Sequence, residues 1–232
     1  MIVITLAGES SRFFSNGYSV VKYKLEFNNE SIIYNILSYL PRDEKLLIII
    51  NKKFNDFQYF TDLLKSMNFI SFQIAEITKT RGQLESVFLG LSITKDFWNK
   101  KDYLTIYNGD TIRKSNVWKF KDCDGYIEVF IDKGDHWSFV DNLGDVKLVT
   151  EKNKISNFCS SGLYYFNNIN LFIKYLEDYF NFILNEFYIA PYYNILIKKN
   201  YKIKSGLNEI ENFIFCGTPE EYKKSLIRFG RK

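Results

Sequence analysis

Arg12, Lys22 and Asp110 are the three side chains whose types and spacing could do chemistry together. Ile2 to Leu6 reads as a buried strand, and Ala7-Gly8-Glu9-Ser10-Ser11-Arg12 breaks it into a tight polar turn. Successive backbone N–H groups in a Gly/Ser turn form an anion-binding concavity, so Leu6, Ala7, Gly8, Glu9, Ser10 and Ser11 are expected to cradle phosphates. Arg12 adds a planar, permanently charged fork, and Lys22, ten residues on, a mobile point charge. Asp110 follows an apolar run in Asn108-Gly109-Asp110, where a carboxylate would face the same crevice beyond the strand ends. Hard oxygen ligands of this kind are what Mg²⁺ prefers, which makes Mg²⁺ the expected cofactor. An Asp after Gly also suits an ordinary turn.

The run LAGESSRF followed by VVKYKLE resembles the opening of the sugar-phosphate nucleotidyltransferases. Their usual pattern is a Gly-rich turn ending in Arg, then, about ten residues later, a Pro-Lys pair. Arg12 and Lys22 match the two cations, whereas Glu9-Ser10-Ser11 replaces most of the glycines and Val21 stands in place of Pro. The Ser-Arg-Phe variant most resembles the branch acting in capsule and surface-polysaccharide synthesis, and some cytidylyltransferases. The resemblance covers nearly the whole chain. It implies an α/β, Rossmann-like nucleotide-diphospho-sugar transferase fold, with a mixed, mostly parallel central sheet and helices on both faces. The single domain would have a nucleotide-binding half at about 1–115 and an acceptor-binding half at about 116–232.

The same resemblance assigns roles. Asp110 would hold the Mg²⁺ that bridges the nucleotide phosphates. A second metal carboxylate usually precedes the Gly-Thr-Pro-Glu turn, but Ile214-Phe215-Cys216 carries no acid, which leaves Glu211, or Glu209, as a nearby substitute. Thr78-Lys79-Thr80-Arg81-Gly82-Gln83 resembles the base-recognition segment. There Gly82 would allow close backbone approach and Gln83 would offer both donor and acceptor, although a helix N-terminal turn explains the same residues. Glu151 and Lys152, with Ser161 and Gly162, resemble the acceptor side, where Lys152 would meet a phosphomonoester. The implied reaction joins a nucleoside triphosphate, CTP before the others, to a phosphorylated small molecule with release of pyrophosphate. Phosphoglutamine is the first choice of acceptor and a sugar 1-phosphate the second. A glycosyltransferase and a non-catalytic nucleotide sensor stay open, but Asn108-Gly109-Asp110 holds only the second acid of an Asp-x-Asp motif.

Composition narrows the alternatives. At 232 residues, 46% of them hydrophobic, the chain is able to bury a sizeable core. The net charge of +4 is spread out with no basic block, so no nucleic-acid partner is expected. Three separated cysteines, no secretory signal and no apolar run of about 18 residues point to a cytoplasmic protein with no membrane partner. His136 is the only histidine, which removes zinc sites with two histidines and disfavours a Ser-His-Asp triad.

The elements that must position these groups alternate between strand and helix. Ser31–Leu40 is predicted helical, Lys45–Asn51 a strand, Phe54–Met67 a helix, Phe69–Ile77 a strand, Gln83–Leu91 a helix and Asp102–Tyr107 a strand. Beyond these, Gly125–Asp132 reads as a strand, and Trp137–Glu151 as a hairpin around Asp141-Asn142-Leu143-Gly144. A strand over Gly162–Phe166, a helix from Ile169 to Asn185, a helical segment from Pro191 to Lys199 and a strand over Ile210–Cys216 follow. Thr218-Pro219-Glu220-Glu221 is a capping box with Pro at the first helical position.

Overall fold

A computed structural model of the chain describes residues 1–114, 117–182 and 186–229. The first half runs β1 (Ile2–Leu6), α1 (Ser11–Ser15), β2 (Glu26–Phe27), β3 (Glu30–Ser31), α2 (Ile32–Ser38), β4 (Leu46–Asn51), α3 (Phe57–Ser66), β5 (Phe72–Ile77), α4 (Gln83–Ile93), β6 (Leu104–Asn108) and β7 (Thr111–Arg113). The second half adds β8 (Gly125–Ile131), β9 (Ser138–Val140), β10 (Gly144–Asp145), β11 (Val149–Glu151), β12 (Phe158–Phe166), α5 (Ile169–Lys174), α6 (Leu176–Phe182), α7 (Tyr193–Lys198), β13 (Ile203–Leu207), β14 (Phe213–Phe215) and α8 (Pro219–Phe229).

One large sheet carries the strands in the order β10-β13-β8-β12-β6-β1-β4-β5. The pairs β6–β1, β1–β4, β4–β5 and β13–β8 are parallel, while β12 runs antiparallel to both β6 and β8. Along this path four of the seven neighbouring pairs are parallel, so the central sheet is mixed and mostly parallel, while β10–β13, β9–β11 and β9–β12 add antiparallel pairs at the end built from the second half of the chain. Its central strands read as continuous apolar runs because both faces are covered. Along β1 and β4, Val3, Leu47 and Ile49 join one core with Leu84, Val87 and Leu91 of α4. The alternate residues Ile2, Ile4, Leu46, Ile48 and Ile50 join the other, with Ile33 and Ile36 of α2 and Phe60 and Leu64 of α3.

Several expected elements shift. The predicted helix from Ile169 is broken at Tyr175 into α5 and α6, and its predicted end lies outside the described residues, as does the boundary near residue 115. The strand predicted from Ile210 begins only at Phe213, after a single 3₁₀ turn over Ile210–Asn212. Ser11–Ser15 is a short helix, not a continuation of the polar turn. The hairpin forms between β9 and β11, while Gly144–Asp145 leaves it to pair with β13, a strand not expected from the sequence.

Candidate active site

Register is what brings the first two motifs together. Thr5 stands opposite Asn108 in the parallel β1–β6 pair, so the Gly8 turn and Asp110 leave the sheet side by side at its carboxyl edge. They border a cleft of about 690 Å³ whose walls include Ala7 to Arg12, Lys22, Gly82, Gln83, Asp110, Glu151, Ser161 and Gly162.

The turn is held from both sides. Asn51 on β4 donates its amide to the Ala7 carbonyl at 3.1 Å. Ser10 takes the left-handed conformation (φ 53°, ψ 24°) that a glycine adopts most freely. Its hydroxyl oxygen accepts from the Lys22 N–H at 3.1 Å, which ties the turn to the lysine segment. Val21, where the resembled pattern has Pro, is buried with φ −61° and ψ 146°, a φ that Pro would impose by its ring. Lys22 then opens a 3₁₀ turn that Tyr23 anchors, its hydroxyl donating to Asp56 at 2.6 Å, while Lys24 pairs with the same carboxylate. So anchored, the Lys22 ammonium reaches Asp110 Oδ2 at 2.5 Å. Among the described residues Arg12 makes no ion pair, and its exposed side chain lines the cleft.

On the neighbouring wall, Glu9 pairs with Lys79 at 3.2 Å and lies 4.0 Å from Lys53. Gly82 is required by packing: a Cβ there would stand 2.5 Å from the Phe187 carbonyl oxygen. The backbone that approaches Gly82 closely is thus the chain's own, bonded through Phe187 N–H to the Arg81 carbonyl (2.9 Å) and Leu84 N–H to the Phe187 carbonyl (3.0 Å). Gln83 donates its amide nitrogen to Thr5 Oγ1 (2.8 Å) and Asn108 Oδ1 (2.7 Å), bracing the ends of β1 and β6. Both residues still line the cleft.

The opposite wall comes from the second half of the chain. Glu151 on β11 accepts from Ser138 on β9, and burial holds its carboxyl above the usual carboxylate range, against the opposing pull of Ser138 and Lys152. Lys152 is exposed and does not itself line the cleft; its Nζ lies 2.6 Å from the hydroxyl of Tyr188, which does, a bond that raises the lysine's basicity, and Tyr188 in turn donates to Glu186. The floor is β12, whose pairing with β8 shifts register between Ser160 and Tyr164. Gly162 sits in that irregularity at φ 84°, and a Cβ there would lie 2.2 Å from Asn108 Nδ2, so only glycine lets the floor press on the end of β6. Ser161 lines the cleft and donates its hydroxyl to buried Glu128 at 2.7 Å, which braces the floor. Glu128 forms a buried ion pair with Arg113 and also accepts from Asn208 at 3.0 Å.

Three expected site residues, Lys152 among them, do not line the cleft. Leu6 is buried in the strand and reaches the cleft only through the turn that follows it. Glu211 lies on an exposed 3₁₀ turn, 3.9 Å from Arg228, and Glu211 and Glu209 both stay outside the cleft, because β14 pairs with β7 and carries that turn away from Asp110. The cleft includes instead Glu221, from the first turn of α8, together with His136, Trp137, Tyr188 and Phe215, none of which the sequence singled out as site residues. Glu221 was visible only as the partner of Thr218 in the capping box, which forms: Thr218 N–H donates to Glu221 Oε2 at 3.0 Å and Glu221 N–H to Thr218 Oγ1 at 3.2 Å.

Among the described residues no group of three or more His, Cys, Asp or Glu side chains gathers around one point. A hard divalent cation shared with phosphate oxygens needs fewer protein ligands, because substrate and water complete its shell. Lys22 on Asp110 already shows that this carboxylate accepts a cation. Cys159 and Cys216 are buried free thiols, the latter pushed up to about 12 by burial. Among the described residues no helix is long and apolar enough to cross a membrane.

No protein-family model matches the sequence, and no curated protein matches it. Solved structures do. The nucleoside-diphosphate-sugar pyrophosphorylase from Vibrio cholerae is 34% identical, with 98% of this chain matched to 100% of that one at a TM-score of 0.88. A Bacillus anthracis protein described as a glucose-1-phosphate thymidylyltransferase is 17% identical, over 100% of this chain and 96% of that one, at a TM-score of 0.76. The inositol-1-phosphate CTP transferase of T. maritima is 12% identical, over 95% and 90%, at 0.73. The last two likenesses are of fold alone.

Proposed function

The chain belongs to the nucleoside-diphosphate-sugar pyrophosphorylase family of nucleotidyltransferases, and from that premise we propose that it is a cytidylyltransferase, joining CTP to a phosphorylated small molecule with release of pyrophosphate. The observation that carries the reading is the convergence of the Gly8 turn, Arg12, Lys22 and Asp110 on one cleft whose far wall is a separate set of side chains. The triphosphate lies along the turn, and the acceptor lies between Glu151 and the Gly162 floor.

An oxygen of the acceptor phosphate attacks the α-phosphorus in line, the bond from that phosphorus to the β-phosphate bridging oxygen breaks, and pyrophosphate leaves with the bonding pair. The nucleophile is already an anion, so no covalent intermediate and no histidine base is needed. Catalysis reduces to alignment and to offsetting negative charge. Lys22 and Arg12 supply fixed positive charge at the phosphates, and Asp110 is the residue to hold Mg²⁺. When bound, that ion neutralises charge on the phosphate oxygens. On this reading Lys22 turns from Asp110 to the triphosphate.

For the acceptor, phosphoglutamine is the first choice and a sugar 1-phosphate the second, in a cytoplasmic role in capsular or surface-polysaccharide synthesis; the enzyme would then be a CTP:phosphoglutamine cytidylyltransferase. The carboxylate of Glu151 suits an ammonium or hydroxyl on the acceptor body, and Lys152, released from Tyr188, its phosphate. The test offers CTP, UTP, GTP and dTTP in turn with phosphoglutamine, phosphocholine and several sugar 1-phosphates, reading pyrophosphate release in Mg²⁺. Release with CTP and phosphoglutamine is expected. Release with a sugar 1-phosphate alone would overturn the acceptor and keep the reaction class; CTP binding with no release from any acceptor would identify a nucleotide sensor. Asp110→Asn should abolish most turnover while leaving the far-ultraviolet circular dichroism unchanged.

A further inference from the structure

Asp110 is one carboxylate, and the segment expected to bring a second one brings an aromatic ring. Phe215 packs against Trp137 and Phe130, with ring centroids 5.0 Å apart in each pair. The chain returns an acid to the same place one turn later. Cys216 N–H donates to the Asp110 carbonyl at 2.8 Å, which seats the start of the Gly217-Thr218 turn beside Asp110. Glu221 then folds back over that turn, held by the Thr218 N–H on Oε2 at 3.0 Å.

Gly217 keeps the space between them open. A Cβ there would stand 3.2 Å from Asp110 Oδ2 and 3.1 Å from Glu221 Oε2, so the two carboxylates border one hollow. The Lys22 ammonium, 2.5 Å from Asp110 Oδ2, stands at its edge as a cation would. Oxygen donors with net negative charge, beside a cationic phosphate turn, are the donor set a hard divalent ion selects.

We propose that Glu221 is the second carboxylate directed at the metal, taking the place that Phe215 leaves without an acid. The proposal rests on the nucleotidyl-transfer reading for the metal's purpose, but not for its binding. It gives the capping glutamate two duties: one oxygen of its carboxylate fixes the start of α8, and the charge of the group serves the cleft. Metal occupancy and the seating of α8 on the cleft are then linked.

Terbium(III), a hard oxygen-seeking ion, is the probe, titrated alone into the full chain while its emission is read after tryptophan excitation. Trp137 lines the same cleft and supplies the sensitiser. Glu221→Gln keeps the capping box, since Gln serves there as Glu does. It should weaken terbium binding at least about tenfold, the scale of lost support around a metal ligand. Gly217→Ala, which fills the hollow and removes no charge, should weaken it as well, and Glu211→Gln should leave the titration unchanged. Thermal melts of each variant identify any loss of fold. Equal titration curves for Glu221→Gln and the unaltered protein would overturn the proposal, as would the absence of sensitised emission from the unaltered protein. Glu221-dependent binding in a protein that releases no pyrophosphate would refute the reaction and leave the ligand assignment standing.

Discussion

On the side proposed for the nucleotide, the cleft is walled by loops that leave parallel strands, whereas on the acceptor side it is walled by an antiparallel hairpin and an irregular strand. The phosphate turn of the first wall is local in sequence: Gly8 to Lys22 follow one another along the chain, on a turn pinned by Asn51, Ser10 and Asp56, while Asp110 and the segment 79–83 come from further away. The second is assembled from β9, β11, β12 and the Glu186–Tyr188 segment, which meet only in the fold. Its floor rests on a buried ion pair, Arg113–Glu128. The first wall is therefore built to present charge, and the second to hold a shape.

Breaking the support of the second wall should have the largest effect. With Glu128 replaced by Gln, the Arg113 charge stays buried beside Ser161 without its counter-charge, which costs about 3–5 kcal/mol and a fall in Tm of roughly 6–20 °C. Joint replacement, Arg113→Met with Glu128→Leu, should recover most of that loss, since it removes both charges. A melt in which Glu128→Gln behaves as the unaltered protein would show that the floor does not depend on the pair.

The same contrast explains what could be read from the sequence. β1, β4 and β6 were legible because burial on both faces leaves uninterrupted apolar runs, and the Gly8 turn because its groups are neighbours in the chain. β13 was not, since Lys204, Ser205 and Gly206 break its apolar character and its place is set by parallel pairing with β8. Glu221 carries only a helix-cap signal in the sequence, because that local role accounts for it fully and its place in the cleft is set by the fold. Glu211 is close in sequence to Phe215, but the β7–β14 pairing carries it out of the cleft. Ser161 lies on the floor, and its brace, Glu128, 33 residues away, carries no local signal that would pair the two.

Removing charge from the first wall should come next, and should leave stability almost untouched. Lys22→Ala should raise the barrier by about 2–4 kcal/mol, a loss of roughly 30- to 1000-fold in kcat/KM for the triphosphate. The partly exposed pair with Asp110 adds no more than about 1 kcal/mol to folding, so Tm should barely move. An effect confined to acceptor KM would place Lys22 on the wrong wall.

Glu151 sharpens the comparison through pH. Its carboxyl is held above the usual range by burial, so the protonated form is the one the fold tolerates better. Any stability it contributes is present below the unfolded value of about 4.3 and is lost as pH rises through the higher folded value. Ionised Glu151 is the form that would hold an ammonium or hydroxyl of the acceptor, so acceptor kcat/KM should rise with pH along a limb displaced above that of a free carboxylate. Glu151→Gln should remove the limb and raise acceptor KM roughly tenfold, about 1.4 kcal/mol, with triphosphate KM unchanged. A limb that persists in Glu151→Gln would belong to another group.

The smallest effect is expected where the two walls close, at the start of α8. Thr218 caps that helix by accepting from Glu221 N–H at 3.2 Å, while Pro219 occupies the first helical position, where its missing N–H costs nothing. Thr218→Ala removes one accepted bond and leaves the return bond from Thr218 N–H to the Glu221 carboxylate in place. The expected cost is about 1 kcal/mol, or a Tm fall of roughly 2–4 °C in a chain of this size. Because Glu221 keeps its backbone anchor, triphosphate and acceptor kinetics should change less than in Glu151→Gln. A Tm loss well beyond that range would mean that α8, which seats Tyr222 on the Glu26 carbonyl at 2.6 Å, depends on this one cap to stay docked against the first wall.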